Sequence, residues 1–216
     1  MPTNAVSTSV ALFASALACI AGLWAPAAHA AAPEPAPIPN RWQFDLRVVD
    51  HLRIAVADHP EDGPTPYFFL VYRAANFTNA DRLLAPSWDL KTDSGEVLRA
   101  GRGVPPEVTA ELIGRVGRPL VKDQLSLVGP LKQGAENAEF GIVVWPVTEL
   151  DIDEVSIFAS GFSGESTTYE TTDPETGETV EHVLRKSRML RYLTPGELGE
   201  MGAATFPVAE DRWVMR

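Results

Sequence analysis

An all-β sandwich is the fold class this chain predicts, on three observations: apolar alternation with a period of two, turn-forming residues about every ten positions, and only one short stretch of helical periodicity. The first alternation sets the pattern. Trp42, Phe44, Leu46, Val48, Leu52, Ile54 and Val56 share one parity, interrupted only by Asp50, while Arg41, Gln43, Asp45, Arg47, His51 and Arg53 share the other. This predicts a half-buried strand, bent near Asp50-His51, with His51 in solvent.

After a polar, proline-containing turn from Asp58 to Pro66, Tyr67-Phe68-Phe69-Leu70-Val71-Tyr72 is apolar on both parities and rich in β-formers, as a central strand covered on both faces would be. Asn76 to Asn79 turns the chain. Pro86 to Thr92 reads as a strand with Trp88 and Leu90 in phase, and Asp93-Ser94-Gly95 as a hairpin turn into Glu96 to Ala100. Pro105-Pro106-Glu107 opens a short crossing helix, with Val108, Leu112 and Ile113 on one face before Gly114 and Gly117 weaken it. Further strands are expected at Gln124 to Val128, Glu139 to Trp145 and Val155 to Phe162. A long C-terminal hairpin follows over 165–192, its arms joined by Asp173-Pro174-Glu175-Thr176-Gly177. The apolar residues of Asp211 to Arg216 point to a docked terminus.

Upstream of the sandwich, residues 1–30 read as a signal peptide. Val10 to Trp24 is an almost unbroken apolar run of secretory h-region length, and Ala28-His29-Ala30 offers small residues to a signal peptidase. The preceding residues contain neither Lys nor Arg, which leaves two outcomes: cleavage after Ala30, the expected one, or retention as an anchor. Without a retained leader no membrane span is expected. Residues 31–40, with alternating prolines, read as an extended linker outside the fold, and 41–216 as a single domain with the hairpin appended.

Composition narrows the function classes. The only cysteine, Cys19, lies in the leader without the upstream Leu of a lipoprotein site, so disulfides, thiol nucleophiles and Cys-ligated metals are excluded downstream. All 18 Lys and Arg and all 29 Asp and Glu follow residue 30, giving a net charge of −11 that makes nucleic acid and anionic membranes poor partners. Such acidity suits the solubility of an exported protein in the periplasm, envelope or extracellular space.

Residues 67–103 (YFFLVYRAANFTNADRLLAPSWDLKTDSGEVLRAGRG), 129–146 (GPLKQGAENAEFGIVVWP) and 155–166 (VSIFASGFSGES) combine an Asn-x-Thr turn, an Asp-x-Gly turn and a Gly-Val-Val-aromatic strand. In this the chain resembles the immunoglobulin-like (telokin-like) β-sandwich domains of uncharacterised secreted bacterial proteins. With VPPEV at 104–108 and the terminal RWVMR, nearly all of 41–216 resembles one family of exported proteins. The resemblance implies an immunoglobulin-like sandwich and carries no activity to any position here.

Candidate chemistry is sparse. Gly161-Phe162-Ser163-Gly164-Glu165 approaches the nucleophile elbow G-x-S-x-G, yet Glu165 stands at the last glycine and strand-like residues follow, so it reads as a glycine-bearing bend. The acidic clusters Asp58 to Asp62 and Glu149 to Glu154 do not match a Ca²⁺ loop and read as solvated turns. Asn76-Phe77-Thr78 fits an N-glycosylation pattern and reads as turn chemistry. Trp42 and Trp88 are in phase with aliphatic neighbours and read as core; Trp145 ends a strand at Pro146, and with Trp213 these are the residues an aromatic sugar platform would use.

One basic run stands out: Arg185, Lys186, Arg188 and Arg191, with His182 nearby. It reads either as a docking strip for an acidic polymer or partner, or as cross-strand charge matching in the hairpin. A turn centred on Glu175 would set Glu165 opposite Arg185 and Glu170 opposite Val180. No nucleophile-base pair, metal set or phosphate loop is recognisable, so neither a cofactor nor catalysis is expected. The expectation is a non-enzymatic interaction module whose partner is a protein or an envelope polymer, with a carbohydrate- or Ca²⁺-binding module as the alternative.

Overall fold

A computed structural model describes residues 33–173, 176–194 and 205–216. Residues 1–30, read above as a signal peptide, and with them Cys19 and the expected cleavage site, lie outside the described residues. The described chain is mostly β: β1 (Asp45–His59), β2 (Gly63–Asn76), β3 (Arg82–Leu84), β4 (Ser87–Thr92), β5 (Val97–Arg99), α1 (Pro106–Val116), β6 (Val121–Lys122), β7 (Gly129–Leu131), β8 (Gly134–Pro146), β9 (Glu154–Ser160), β10 (Ser166–Thr172), β11 (Thr179–Leu193) and β12 (Val208–Met215). Among the described residues no helix is long and apolar enough to cross a membrane.

One sheet has the order β1-β2-β8-β6, with only the β6–β8 pair parallel; the other runs β5-β4-β9-β11, with β10 and β12 also paired to β11. β3 and β7 form a separate ribbon. The two larger sheets share a core: Phe68, Leu70 and Tyr72 of β2 meet Trp88 and Leu90 of β4, Ile157 and Ala159 of β9, and Leu190 and Tyr192 of β11. Period-two alternation produces this arrangement directly, since every second side chain of each strand faces the opposing sheet.

β2 is apolar on both parities because α1 covers its other face. Tyr67, Phe69 and Val71 pack with Ile142 and Val144 of β8 beneath Val108 and Leu112 of the helix. The helix begins at Pro106 behind Pro105 and ends at Gly117, whose amide returns to the Ile113 carbonyl at 3.3 Å. Arg115 donates to the Val56 carbonyl and Glu111 accepts from the Asp58 amide, which ties the helix to the far end of β1.

The bend expected in β1 is a pair of register shifts, one between Val48 and Asp50 and one between Asp50 and Arg53. Each inserts one residue, so inward parity is restored and Leu46 and Leu52 are both buried. His51 is the exception to its expected solvation. The irregularity turns it inward, where its Nδ1 lies 3.0 Å from the Tyr192 hydroxyl.

The strand expected at Gln124 to Val128 is a 3₁₀ turn over Leu125–Leu127. Asp123 accepts the amides of Leu125 (2.9 Å) and Ser126 (3.0 Å), so a side chain supplies what a neighbouring strand would have supplied. Only Leu127 of that segment is buried.

The hairpin register differs from expectation by one residue. Ser166 faces Arg185, Thr171 faces Val180 and Glu170 faces Glu181, because Asp173 and Glu178 close the turn and leave four residues in the loop. A one-residue slip moves every side chain to the other face. The appended element is also shorter than 165–192: β11 is paired to β12 from Lys186, lies between β9 and β12 from Arg188 onward, and contributes Leu190 and Tyr192 to the core. What stands apart is the arm of β10 with Thr179 to Arg185, which has no buried residue among those described. The docked terminus is the strand β12.

Candidate functional site

β11 carries all five residues of the basic run, but alternation sends Arg185 and Arg191 to one face and Lys186 and Arg188 to the other. They do not form one exposed strip. Lys186 is 3% exposed, and its Nζ lies 2.9 Å from Oε2 of Glu165, itself 6% exposed. Arg188 forks onto Asp211 of β12, its second guanidinium nitrogen 2.9 Å from Oδ2, and Arg191 pairs with Glu154 (2.9 Å) and Glu210 (3.4 Å). His182 Nε2 lies 2.8 Å from Thr171 Oγ1 across the arm. Arg185 exchanges two backbone hydrogen bonds with Arg216 and leaves its guanidinium free, with no side-chain partner among the described residues.

The slipped register thus sets Glu165 opposite Lys186 rather than Arg185, and puts the pair inside. Trp213 of β12 stacks beside it, with Lys186 Nζ 5.7 Å and the Arg188 guanidinium 5.5 Å from the ring centroid. The remaining valences go to the proline-rich segment. The Ala36 amide donates to Glu165 Oε1 at 2.7 Å, and Lys186 Nζ donates to the Ala36 carbonyl at 3.2 Å. Residues 33–40 are therefore anchored to the domain, not strung outside it as expected of a linker. Burial pushes the Glu165 carboxyl up, but the Ala36 amide and Lys186 outweigh it and hold the group below its ordinary range.

The Gly161 to Glu165 segment is a structural bend. Gly161 has φ +88° with its α-carbon against the Ala85 carbonyl, and Gly164 lies beneath the Trp42 indole. Phe162 is fully buried, and Ser163 Oγ donates to the Trp42 carbonyl and accepts the Glu165 amide. The hydroxyl is occupied in holding the bend.

Two open depressions flank Trp42, of about 540 and 560 Å³. Both include Trp42 and Arg82, whose guanidinium lies 5.5 Å from the ring centroid; Arg41 lines the first and Arg185 the second. Trp88 and Trp145 are fully buried, so neither offers a ring to a sugar. Asn76 is buried as well, donating to the Ala80 and Leu131 carbonyls and accepting from Thr78, which is turn chemistry with every valence used. Among the described residues no three His, Cys, Asp or Glu side chains gather as a metal set. In the first acidic cluster His59 Nδ1 accepts the amides of Glu61 and Asp62; in the second Glu154 is paired to Arg191.

The sequence reading missed the buried Glu165–Lys186 pair and its hold on Ala36. The turn composition does not reveal it: the register of the whole arm is fixed by the backbone closure between Asp173 and Glu178, which becomes visible only in the fold. Compared with protein-family models, with curated proteins and with solved structures, the chain matches none.

Proposed function

We propose that the protein is exported and acts without catalysis, as an envelope-associated or extracellular interaction module on an immunoglobulin-like (telokin-like) sandwich. The observation that carries this reading is the arm. It buries nothing, exposes Val180 (43%) and Val183 (59%), and leaves one edge of β11 from Thr179 to Leu184 uncovered by any described strand, since the β12 ladder stops at the Arg185–Arg216 exchange. A partner protein adds an extended segment there, continuing that ladder. Below Arg185 the pairs to β9 and β12 hold the arm's base in the sandwich.

The test replaces residues 169–182 by Asn-Gly, so that Thr168 and Val183, already opposite, flank a two-residue turn. A loss of about 1 kcal/mol shifts the melting temperature of a domain this size by roughly 2–4 °C, and the expected change is no larger than that. The native chain is expected to crosslink to envelope proteins, and the shortened chain is expected to lose those crosslinks. Global unfolding, or crosslinking that survives, overturns the reading.

The paired depressions around Trp42 favour a second reading, a carbohydrate-binding module that takes an acidic polysaccharide along Arg41, Arg82 and Arg185. Thermal melts with anionic and neutral envelope polysaccharides separate the two. A rise with the anionic polymers alone, lost in Arg185→Ala, supports it; unchanged melts across the panel remove it.

A further inference from the structure

We propose that the cleft between α1 and the outer face of the β1-β2-β8-β6 sheet binds a small primary amine with an apolar body. The cleft encloses about 440 Å³, within the range of small-molecule sites. Val104, Ile113, Ile142 and Val144 supply apolar wall, and Ala110 narrows it from the helix side. No Lys, Arg or His lines it. Its polar lining, apart from Thr109, is Asp123 and Gln124.

Those two residues present acceptors and little else. Gln124 Nε2 donates to the Pro86 carbonyl at 3.0 Å, which fixes the amide and leaves Oε1 buried with no donor. Asp123 takes the amides of Leu125 and Ser126 on Oδ1 and the Ser126 hydroxyl on Oδ2, so about one of its roughly four acceptor positions stays open. Burial raises the affinity of this carboxyl for a proton, yet the Ser126 and Leu125 hydrogen bonds bring it below the ordinary range, and the group is a carboxylate at neutral pH. An ammonium has three donors and a positive charge. It pairs with the Asp123 carboxylate while its apolar body fills the space under α1.

The experiment is calorimetric titration of the full chain with octylamine, octan-1-ol and octanoate, three probes with one body and different heads. Octylamine is expected to bind at least tenfold more tightly than octan-1-ol, with no octanoate binding at millimolar concentration. Asp123→Asn is expected to erase the tenfold preference. Because Asp123 also holds the 3₁₀ turn, Ala110→Phe serves as a second variant, filling the cleft from an exposed helix position without touching the turn; it is expected to abolish octylamine binding. Equal affinity for the alcohol and the amine, no heat with octylamine up to millimolar concentration, or octylamine binding that survives Ala110→Phe, each overturns the proposal.

Discussion

Lys186→Met is expected to destabilise the protein by roughly 3–5 kcal/mol, because it leaves the Glu165 carboxylate buried without its cation. The methionine keeps the apolar stem but loses the Nζ contacts to Glu165 and to the Ala36 carbonyl. At about 2–4 °C per kcal/mol the melting temperature falls by roughly 6–20 °C. The double variant Glu165→Gln/Lys186→Met is expected to recover most of this, since the glutamine oxygen still accepts the Ala36 amide and no charge remains to be paired. Acid titration supplies an independent readout. A carboxyl whose folded pKa is depressed contributes stability that is complete above its unfolded value, near 4.5, and is lost as pH falls through the folded pKa. The native chain therefore loses this increment below about pH 4.5, and the double variant does not; the share from Asp123, depressed in the same direction, persists in both. A single-variant loss under about 1 kcal/mol would mean that water reaches the pair and that it behaves as a surface bridge.

Period-two patterning is what made the two-sheet layout legible. β1, β2, β4, β8 and β9 lie where alternation or apolar runs put them, and α1 where Pro105-Pro106 and the Val108, Leu112, Ile113 face put it. The departures lie in hydrogen bonding and strand register, which hydrophobic pattern does not record. Asp123 capping Leu125 and Ser126 converted an apolar strand into a turn and left Gln124 lining a cleft. The shifts either side of Asp50 turned His51 toward Tyr192, although its parity marked it as exposed. In the hairpin, composition located the turn but not whether its centre falls on a residue or between two. That single residue of register decides whether Arg185 or Lys186 meets Glu165, and with it whether the basic run is a surface strip or a buried clamp. A segment of alternating prolines has no apolar periodicity, so the capture of Ala36 had no signature upstream of the register.

Gly161→Ala is the second large effect, expected to cost about 3 kcal/mol or more through close approach and backbone conformation acting together. A Cβ at Gly161 would sit 2.2 Å from the Ala85 carbonyl oxygen, and the backbone there has φ +88°. Relief requires moving the entry to β4, where Trp88 is fully buried, or the bend itself, where Phe162 is. Gly95→Ala provides the control: its φ is +95°, nothing lies within 4 Å of the added carbon, and the expected loss is only the conformational term of roughly 1–2 kcal/mol. Denaturant unfolding of the two variants separates the steric part from the conformational part. The bend matters beyond its own packing. β9 and β10 pair in succession along β11 with registers offset by four residues, and 161–164 are the residues that take up the offset. If alanine forces the bend open, Glu165 no longer faces Lys186, so the losses from Gly161→Ala and Lys186→Met are expected to fall short of additive by more than about 0.5 kcal/mol. Strict additivity would show that the ion pair and the arm keep their register without the Gly161 bend, and would assign the register to the Asp173–Glu178 turn alone.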